Sequence, residues 1–166
     1  MMSLIDALNF SSKRILVCGG SDGIGYGVAS AFADAGASVA ITGTRPRDSY
    51  ENDFSLFTFH QLDVQNADAI RSLASQFDSL DVLVNCIGAV LWKKGEFERA
   101  GFEQILSINL SGAMQLCTDF YPTLRNAVKE TLCRDCLAGR WSNIVAARSA
   151  EACTKCLAGR YSEILG

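Results

Sequence analysis

Three closely spaced glycines after a short apolar run carry the strongest chemical signal in the sequence. Gly19, Gly23 and Gly25 follow the run at residues 13–18 and stand at the start of a helical pattern. A strand that turns through glycines into a helix gathers backbone N–H groups and the positive helix end at one spot, where a pyrophosphate can bind. The spacing Gly-x3-Gly-x-Gly differs from the common dinucleotide fingerprint Gly-x-Gly-x-x-Gly. The sequence therefore predicts a phosphate cradle, with an ordinary glycine-rich turn as the alternative.

The elements that must position this cradle alternate between strand and helix. Short apolar runs predict strands at residues 13–18, 38–42, 56–62 and 81–84. Helical spacing follows the glycines as far as a stop signal at Gly36, and it recurs between the third and fourth strands. Strands that alternate with helices pair in parallel through right-handed crossovers. We therefore predict an α/β fold, a three-layer arrangement around a doubly wound parallel sheet.

A longer helical pattern begins after Gly101 and continues through Phe120. Pro122 is expected to kink or end this helix, because proline lacks the N–H that a helix interior needs. Residues 127–166 are predicted to form a divergent, irregular tail with one weak strand candidate at residues 143–145. We assign residues 1–166 to a single domain, since 166 residues with 49% hydrophobic content can bury one compact core.

Composition and charge disfavour several classes of partner and indicate the environment of the protein. The net charge of −3 and the scattered Lys and Arg residues disfavour binding to nucleic acid or to an anionic membrane surface. Neither a leader pattern nor an apolar stretch long enough to cross a bilayer is found in the sequence, so a cytoplasmic location is expected. Seven cysteines without a secretion signal indicate reduced thiols rather than a disulfide framework.

Four of those cysteines have the spacing of a structural zinc site. Cys133 and Cys136 form one Cys-x2-Cys pair, and Cys153 and Cys156 form a second pair. The predicted strand between them would hold the pairs at opposite ends of the sheet, roughly 18 Å apart at about 3.3 Å per residue. We therefore expect no metal site. A zinc-stabilised interaction module stays as the alternative if the tail abandons this topology.

Short motifs occur in a fixed order along the chain as far as Pro122. Residues 17–25 (VCGGSDGIG) resemble the Thr-Gly-x-x-x-Gly-Ile-Gly motif of the short-chain dehydrogenase/reductases, with Cys18 in place of the threonine. Residues 85–88 (NCIG) resemble the family's Asn-Asn-Ala-Gly motif, and residues 109–112 (NLSG) resemble the helix that carries its catalytic asparagine. The resemblance implies a Rossmann fold with strand order 3-2-1-4-5, C-terminally truncated so that the family's last strands are missing.

The resemblance also implies a set of residues that bind NAD or NADP. Asp63 and Val64 stand where the family contacts adenine. The full predicted set is Gly19, Ser21, Asp22, Gly23, Ile24, Gly25, Thr44, Arg45, Asp63, Val64, Asn85, Cys86, Ile87 and Gly88.

The choice between the two cofactors depends on the end of the second strand. An acidic residue about 20 positions past the glycine turn would hold the free ribose 2′-hydroxyl of NAD. Gly43 stands there instead, and Thr44 and Arg45 follow it. An arginine can bind a 2′-phosphate, so NADP is favoured. The charge of Asp22 and an ordinary solvated role for the arginine keep NAD as the alternative.

Catalytic residues are assigned by the same resemblance. Asn109 is expected to support a water relay, Ser149 to orient the substrate oxygen and Tyr161 to exchange a proton with that oxygen. Leu165 occupies the place of the lysine that lowers the tyrosine pKa in the family. Since an ordinary tyrosine has a pKa near 10, alcohol oxidation should suffer more than carbonyl reduction. Alternatively, Ser149 and Tyr161 are chance matches, and Asn109 only caps a neighbouring loop.

Together these features predict an NAD(P)-dependent oxidoreductase. It would transfer hydride between NADP(H) and a small-molecule carbonyl or alcohol substrate. The resemblance also implies that copies of the chain associate through the long helix to form a homo-oligomer. The alternatives are a truncated nucleotide-binding protein without catalysis and the zinc-stabilised module.

Overall fold

The computed structural model describes residues 9–131 together with two short strands farther along the chain. The strands and helices, in chain order, are β1 (Arg14–Cys18), α1 (Gly23–Asp34), β2 (Ser38–Gly43), β3 (Phe57–Gln61), α2 (Ala67–Ala74), β4 (Val82–Asn85), α3 (Arg99–Leu106), a π-helix (Ser107–Gly112), α4 (Ala113–Thr131), β5 (Arg140–Trp141) and β6 (Thr154–Lys155). Single 3₁₀ segments lie at Arg47–Ser49 and Trp92–Phe97.

The main sheet has four parallel strands in the order β3-β2-β1-β4. Ile15 of β1 pairs with Val39 of β2 on one side and with Val82 of β4 on the other. This confirms the predicted doubly wound sheet and the order of its first four strands. The predicted fifth strand at residues 143–145 lies outside the described residues, and β5 pairs with β6 in a separate antiparallel ladder.

Helices cover both faces of this sheet, because its central strand is apolar on both sides. Leu16 and Cys18 of β1 pack on the side of α2 and α4, in one cluster with Ile70, Leu116 and Phe120. Their neighbours along the strand, Ile15 and Val17, point to the other face, which α1 and the aromatic residues after β2 cover. Strict alternation within an unbroken apolar run therefore produces the three layers that the sequence predicted.

The ends of α1 follow the predicted signals. Asp22 is the N-cap, and its carboxylate accepts a hydrogen bond from the N–H of Gly23 at 2.8 Å. The helix ends at Asp34, two residues before Gly36. A carboxylate near the helix start also interacts favourably with the positive end of the helix dipole.

Of the two outcomes predicted for Pro122, a kink or an end of the helix, the end is wrong. Helix α4 continues through Pro122 to Thr131, so the first residues of the predicted irregular tail are helical. A proline removes one N–H donor, whereas burial of Leu116, Phe120 and Ala127 holds the helix on the sheet. Before α4 the helix also widens into the π-helix, which the sequence pattern did not predict.

Charged groups hold the amino ends of the two central strands together. The Asp81 carboxylate, directly before β4, accepts hydrogen bonds from Lys13 Nζ at 2.7 Å and from the N–H of Arg14 at 2.9 Å. Burial acts to raise the pKa of Asp81, but the hydrogen bonds from Arg14 and Lys13 outweigh it, and the pKa lies below its ordinary value. The side chain of Asp81 is 15% exposed, so this ion pair is partly shielded from water.

Candidate functional site

A cleft of about 650 Å³ opens at the carboxyl ends of the parallel strands. Its walls are the glycine turn after β1, the end of β2, the segments after β3 and β4, and one residue of the π-helix. Crevices at this edge of an open α/β sheet are where ligands of such folds bind, and the volume is that of a small-molecule site.

Close backbone packing shapes the glycine turn. Gly19 has a φ of +77°, and a Cβ there would lie 2.9 Å from the carbonyl oxygen of Cys86. A Cβ on Gly25 would collide with the carbonyl oxygen of Gly19. The N–H of Gly19 also donates to Thr42 Oγ1 at 3.1 Å, which ties the turn to β2. The bare backbone at Gly19 and Gly25, opening on the start of α1, fits a pyrophosphate group. A side chain already holds one N–H of this helix start, that of Gly23, which is bonded to the Asp22 carboxylate.

Most of the predicted cofactor-binding residues line the cleft. Those that do are Gly19, Ser21, Asp22, Gly23, Thr44, Asp63, Val64, Cys86, Ile87 and Gly88. The structure thus brings residues that are up to 69 positions apart in the sequence to one edge of the sheet.

Four predicted residues lie beside the cleft rather than in its lining. Ile24 is 84% exposed on α1, and Gly25 packs beneath Gly19. Asn85 Oδ1 accepts a hydrogen bond from the N–H of Ile87 at 3.1 Å and so fixes the turn after β4. Arg45 lies against the ring of Tyr50.

Six of the residues that line the cleft are absent from the predicted cofactor-binding set, although Gly43 was named as the position that decides between the cofactors. They are Thr42, Gly43, Leu62, Gln65, Ala89 and Ile108. Extending each cofactor motif by one position would have found four of them, namely Gly43, Leu62, Gln65 and Ala89, and Thr42 is the last residue of the predicted second strand. Ile108 precedes Asn109 on the π-helix.

The end of β2 has no room for a side chain at Gly43. A Cβ there would lie 2.5 Å from the hydroxyl oxygen of Tyr50 and 2.7 Å from Ser21 Oγ. Burial acts to raise the pKa of Tyr50, but hydrogen bonds from Ser21, Arg45 and Thr44 outweigh it and lower that pKa. The place of an acidic residue in NAD-binding relatives of this fold is thus filled by two hydroxyl groups.

Arg45 stands next to this pair. Its guanidinium carbon lies 4.3 Å from the centre of the Tyr50 ring, and its backbone N–H donates to the Tyr50 hydroxyl at 3.0 Å. Gln61 Nε2 donates to the carbonyl of Thr44 at 3.0 Å, which connects the same segment to β3. Arg47 has a different contact, a hydrogen bond of 3.2 Å to the carbonyl of Phe54.

Asn109 joins the π-helix to the cleft wall. Its Oδ1 accepts a hydrogen bond from the N–H of Ala89 at 2.8 Å, and its Nδ2 donates to the carbonyl of Ala89 at 2.9 Å. The side chain thus holds both polar groups of the Ala89 backbone. Such widened helical turns are frequent at functional sites. The predicted alternative, in which Asn109 caps a neighbouring loop, describes these contacts.

The other predicted site residues lie outside the described part of the chain. These are Ser149 and Tyr161, together with Leu165 and the four cysteines Cys133, Cys136, Cys153 and Cys156. Within the described residues, no group of three or more His, Cys, Asp or Glu side chains could hold a metal ion. No helix in that same part of the chain has the length and apolar character to span a bilayer.

Comparison with known protein families identifies the family of this chain. A family model described as enoyl-(acyl carrier protein) reductase matches residues 19–159 of this chain, and the match begins at the glycine turn. The chain belongs to the short-chain dehydrogenase/reductase family. This confirms the resemblance seen in the sequence motifs.

Relatives within this family include dehydrogenases of sugars and sugar acids. The chain is 33% identical over 126 residues to L-fucose dehydrogenase of Oryctolagus cuniculus, covering 71% of this chain and 44% of that protein. It is 32% identical to 2-dehydro-3-deoxy-D-gluconate 5-dehydrogenase of Bacillus subtilis, covering 65% of this chain and 46% of that protein. The chain thus spans somewhat less than half the length of these curated relatives.

Solved structures share the fold. Aldohexose dehydrogenase of Thermoplasma acidophilum superimposes with a TM-score of 0.60 over 70% of this chain and 46% of its own, at 23% identity. An NADP complex of Pseudomonas aeruginosa RhlG superimposes with a TM-score of 0.59 over 73% of this chain and 50% of its own, at 23% identity. At these identities the likeness concerns the fold alone.

Proposed function

We propose that this chain binds NADP(H) in the cleft and acts as an oxidoreductase that interconverts a small-molecule carbonyl and its alcohol. The observation that carries the proposal is the cleft that extends from the glycine turn, where Gly19 and Gly25 leave the backbone bare, to Thr44, with Arg45 next to it beyond the end of β2. The nicotinamide supplies or accepts the hydride when the nucleotide is bound. The rest of the chemistry falls to the chain's own residues.

Each part of the nucleotide has candidate residues along this path. The turn at residues 19–25 would hold the pyrophosphate, and Asp63 and Val64 would contact the adenine ring. The segment at residues 85–88 forms the opposite wall, where Asn85 fixes its own turn. Thr44 and Arg45 stand beside the adenosine ribose in this arrangement.

NADP rather than NAD is favoured by the charges at the end of β2. Gly43 offers no carboxylate for a 2′-hydroxyl, and Tyr50 and Ser21 leave no space for one. A guanidinium next to this position can bind a phosphate through charge-assisted hydrogen bonds. Asp22 bonds its own helix start, which directs part of its charge toward α1 rather than toward the ligand.

At the substrate end, Asn109, Ser149 and Tyr161 are the candidate catalytic residues. Asn109 would hold the cleft wall and a proton-relay water, Ser149 would orient the substrate oxygen, and Tyr161 would exchange the proton. Leu165 stands in the place of the lysine that would help the tyrosine give up its proton, so reduction should be favoured over oxidation. We place this activity in the cytoplasm, in a homo-oligomer.

The first test compares the affinities of the two reduced nucleotides by calorimetry. NADPH should bind at least about tenfold more tightly than NADH, since losing a charge-assisted pair with phosphate costs more than about 1.4 kcal/mol. The variant Arg45→Ala should lower the ratio of NADPH to NADH affinity. Arg71→Ala, which removes an exposed cation on α2, should leave that ratio unchanged. Equal affinities in the unmodified chain would contradict the NADP assignment.

A second test measures turnover at 340 nm with NADPH and a panel of ketones, aldohexoses and sugar acids, chosen because the named relatives act on sugars and sugar acids. We expect slow reduction, below the ordinary enzymatic rate of about 10 per second. Binding with no turnover on any substrate would favour the alternative of a nucleotide-binding protein without catalysis.

A further inference from the structure

Tyr50 belongs to none of the motifs that identify the family, yet it stands at the adenosine end of the cleft. It directly follows the short 3₁₀ segment Arg47–Ser49. Its ring packs against Phe54 and Phe59, with centroid distances of 5.5 and 5.9 Å. These two rings stack on each other at 5.4 Å, so Tyr50 rests on a packed aromatic floor rather than on a loose loop.

The hydroxyl of Tyr50 connects three segments of the site. It accepts the N–H of Arg45 at 3.0 Å, it hydrogen bonds with Ser21 of the glycine turn, and it lies directly beneath Gly43. The backbone on both sides of Gly43 is thereby fixed relative to the phosphate cradle. A carboxylate at position 43 would have to displace both hydroxyl groups.

The ring of Tyr50 has a second role, because it supports the guanidinium of Arg45. The distance of 4.3 Å from the guanidinium carbon to the ring centre is within the range of a cation–π contact. A long exposed side chain ordinarily loses rotamer freedom when it captures a ligand. Stacking on a fixed ring removes part of that loss beforehand, and a guanidinium has five N–H donors, so one that also contacts the Tyr50 hydroxyl has others to offer a phosphate.

We propose that Tyr50 is a positioning residue that determines nucleotide specificity, since it holds Arg45 for a 2′-phosphate and fills the space from which a carboxylate would bind a 2′-hydroxyl. The inference rests on the proposed function, because it concerns how the same cleft selects between two nucleotides. The ligand class it assigns to this end of the cleft is a 2′-phosphorylated adenosine.

The test is a double-mutant cycle between Tyr50 and Arg45, with the ratio of NADPH to NADH affinities as the measured quantity. Tyr50→Leu removes the ring and should lower that ratio about tenfold while the NADH affinity stays near its original value. In the Arg45→Ala background the same substitution should change the ratio little, because a residue that acts through Arg45 has nothing left to position. Tyr50→Phe keeps the ring and should keep most of the NADPH preference.

Tyr26→Leu is the matched control. Tyr26 packs in the same aromatic cluster, against Phe54 and Phe57, but its hydroxyl donates to the carbonyl of Asp53 at 3.2 Å rather than to a residue of the cleft. This variant should lower the melting temperature without moving the affinity ratio. A structural effect of losing one aromatic ring is thus separated from a positioning effect.

The outcomes distinguish this inference from the function on which it rests. If the unmodified chain binds neither nucleotide, or prefers NADH, the proposed function itself fails. If it prefers NADPH, and the ratio of NADPH to NADH affinity is the same in Tyr50→Leu as in the Tyr26→Leu control, only the inference is overturned. A full loss of preference in Tyr50→Phe, or independent effects of Tyr50 and Arg45, would overturn it as well. Should Tyr50→Leu fail to fold, Tyr50→Met, which fills much of the same space without a ring, takes its place in the cycle with Arg45→Ala, and the same outcomes apply.

Discussion

The two ends of the parallel sheet are held together by different kinds of contact. At the amino ends, charged side chains make the connections, as Asp81 bonds both Lys13 and the backbone of Arg14. At the carboxyl ends of the same strands, the contacts at the turn are between backbone groups, and the carbonyl oxygen of Cys86 lies where a Cβ on Gly19 would reach. The amino ends of the strands are thus held together by side chains, whereas a ligand-sized cleft opens at their carboxyl ends.

This difference separates stability from binding. A side-chain ion pair can be replaced at a small cost, because surface pairs contribute about 1 kcal/mol or less. A backbone contact that tolerates only glycine admits no partial replacement, since any added atom displaces the chain itself. Substitutions at the carboxyl ends should therefore impair nucleotide binding, whereas substitutions at the amino ends should change only the free energy of unfolding.

The largest effect is expected from Gly25→Ala. The added methyl group would meet the carbonyl oxygen of Gly19, so the turn or the start of α1 must shift. We expect a loss of about 1–3 kcal/mol in unfolding free energy, as for other overpacked sites, and a fall of more than about tenfold in NADPH affinity. Thermal unfolding and calorimetry measure the two quantities.

Gly27→Ala provides the matched control on the same helix. A Cβ there meets no atom within 4 Å, so the substitution adds only helix propensity. It should raise stability by up to about 1 kcal/mol and leave the NADPH affinity unchanged. Similar losses of affinity in both variants would show that the glycine turn is not a close-packed cradle.

A smaller effect is expected from Asn109→Ala. The variant leaves both polar groups of the Ala89 backbone without their side-chain partner, and each such hydrogen bond contributes about 1 kcal/mol. The cleft wall should loosen, with a severalfold decrease in NADPH affinity and a lower melting temperature. Asn109→Asp retains the acceptor but not the donor and should fall between the two. A melting temperature identical in all three chains would contradict the anchoring role.

The smallest effect is expected from Asp81→Asn, which should lower the unfolding free energy by about 1 kcal/mol at neutral pH without changing NADPH affinity. The pKa of Asp81 lies below its ordinary value of about 3.9, so its stabilising contribution is complete above that pH. It is lost as the pH falls through the folded-state pKa. Chemical denaturation of both chains between pH 7 and pH 3 should therefore show the difference shrinking toward acid.

Asp68→Asn is the control for this pair. Asp68 contacts Arg71 on α2, but its side chain is 89% exposed. The substitution should lower stability by less than Asp81→Asn does, since an exposed pair is screened by water and salt and leaves only the weak interaction of Asp68 with the positive end of α2. A pH-independent difference between Asp81→Asn and the unmodified chain would show that the carboxylate charge is not what holds the amino ends.

Local patterns in the sequence were sufficient to predict a parallel sheet with helices on both faces, because the apolar run of β1 and the glycines after it are contiguous and the elements alternate. The strand order and most of the cleft residues came from the family resemblance, since right-handed crossovers alone do not decide which strands are neighbours. Tyr50 could not be found this way. It lies seven positions after Gly43 in an irregular segment, and only folding brings its hydroxyl beneath that residue.

The helical region after residue 101 was predicted less accurately than the sheet. The spacing of apolar residues is nearly the same for an α-helix and for one that widens briefly, so the π-helix at Ser107–Gly112 left no mark in the pattern. The expected kink or end at Pro122 rested on local propensity alone. Burial of Phe120 and Ala127 on the sheet outweighs that propensity, which no short window of sequence reveals.

The pairing of Asn109 with Ala89 places unequal evolutionary constraints on its two members. Asn109 binds through its side chain, whereas Ala89 takes part only through main-chain atoms that every residue except proline possesses. Position 89 can therefore drift through many residue types while both hydrogen bonds persist. Position 109 needs one donor and one acceptor at the tip of a short side chain, and only asparagine and the longer glutamine carry that amide group.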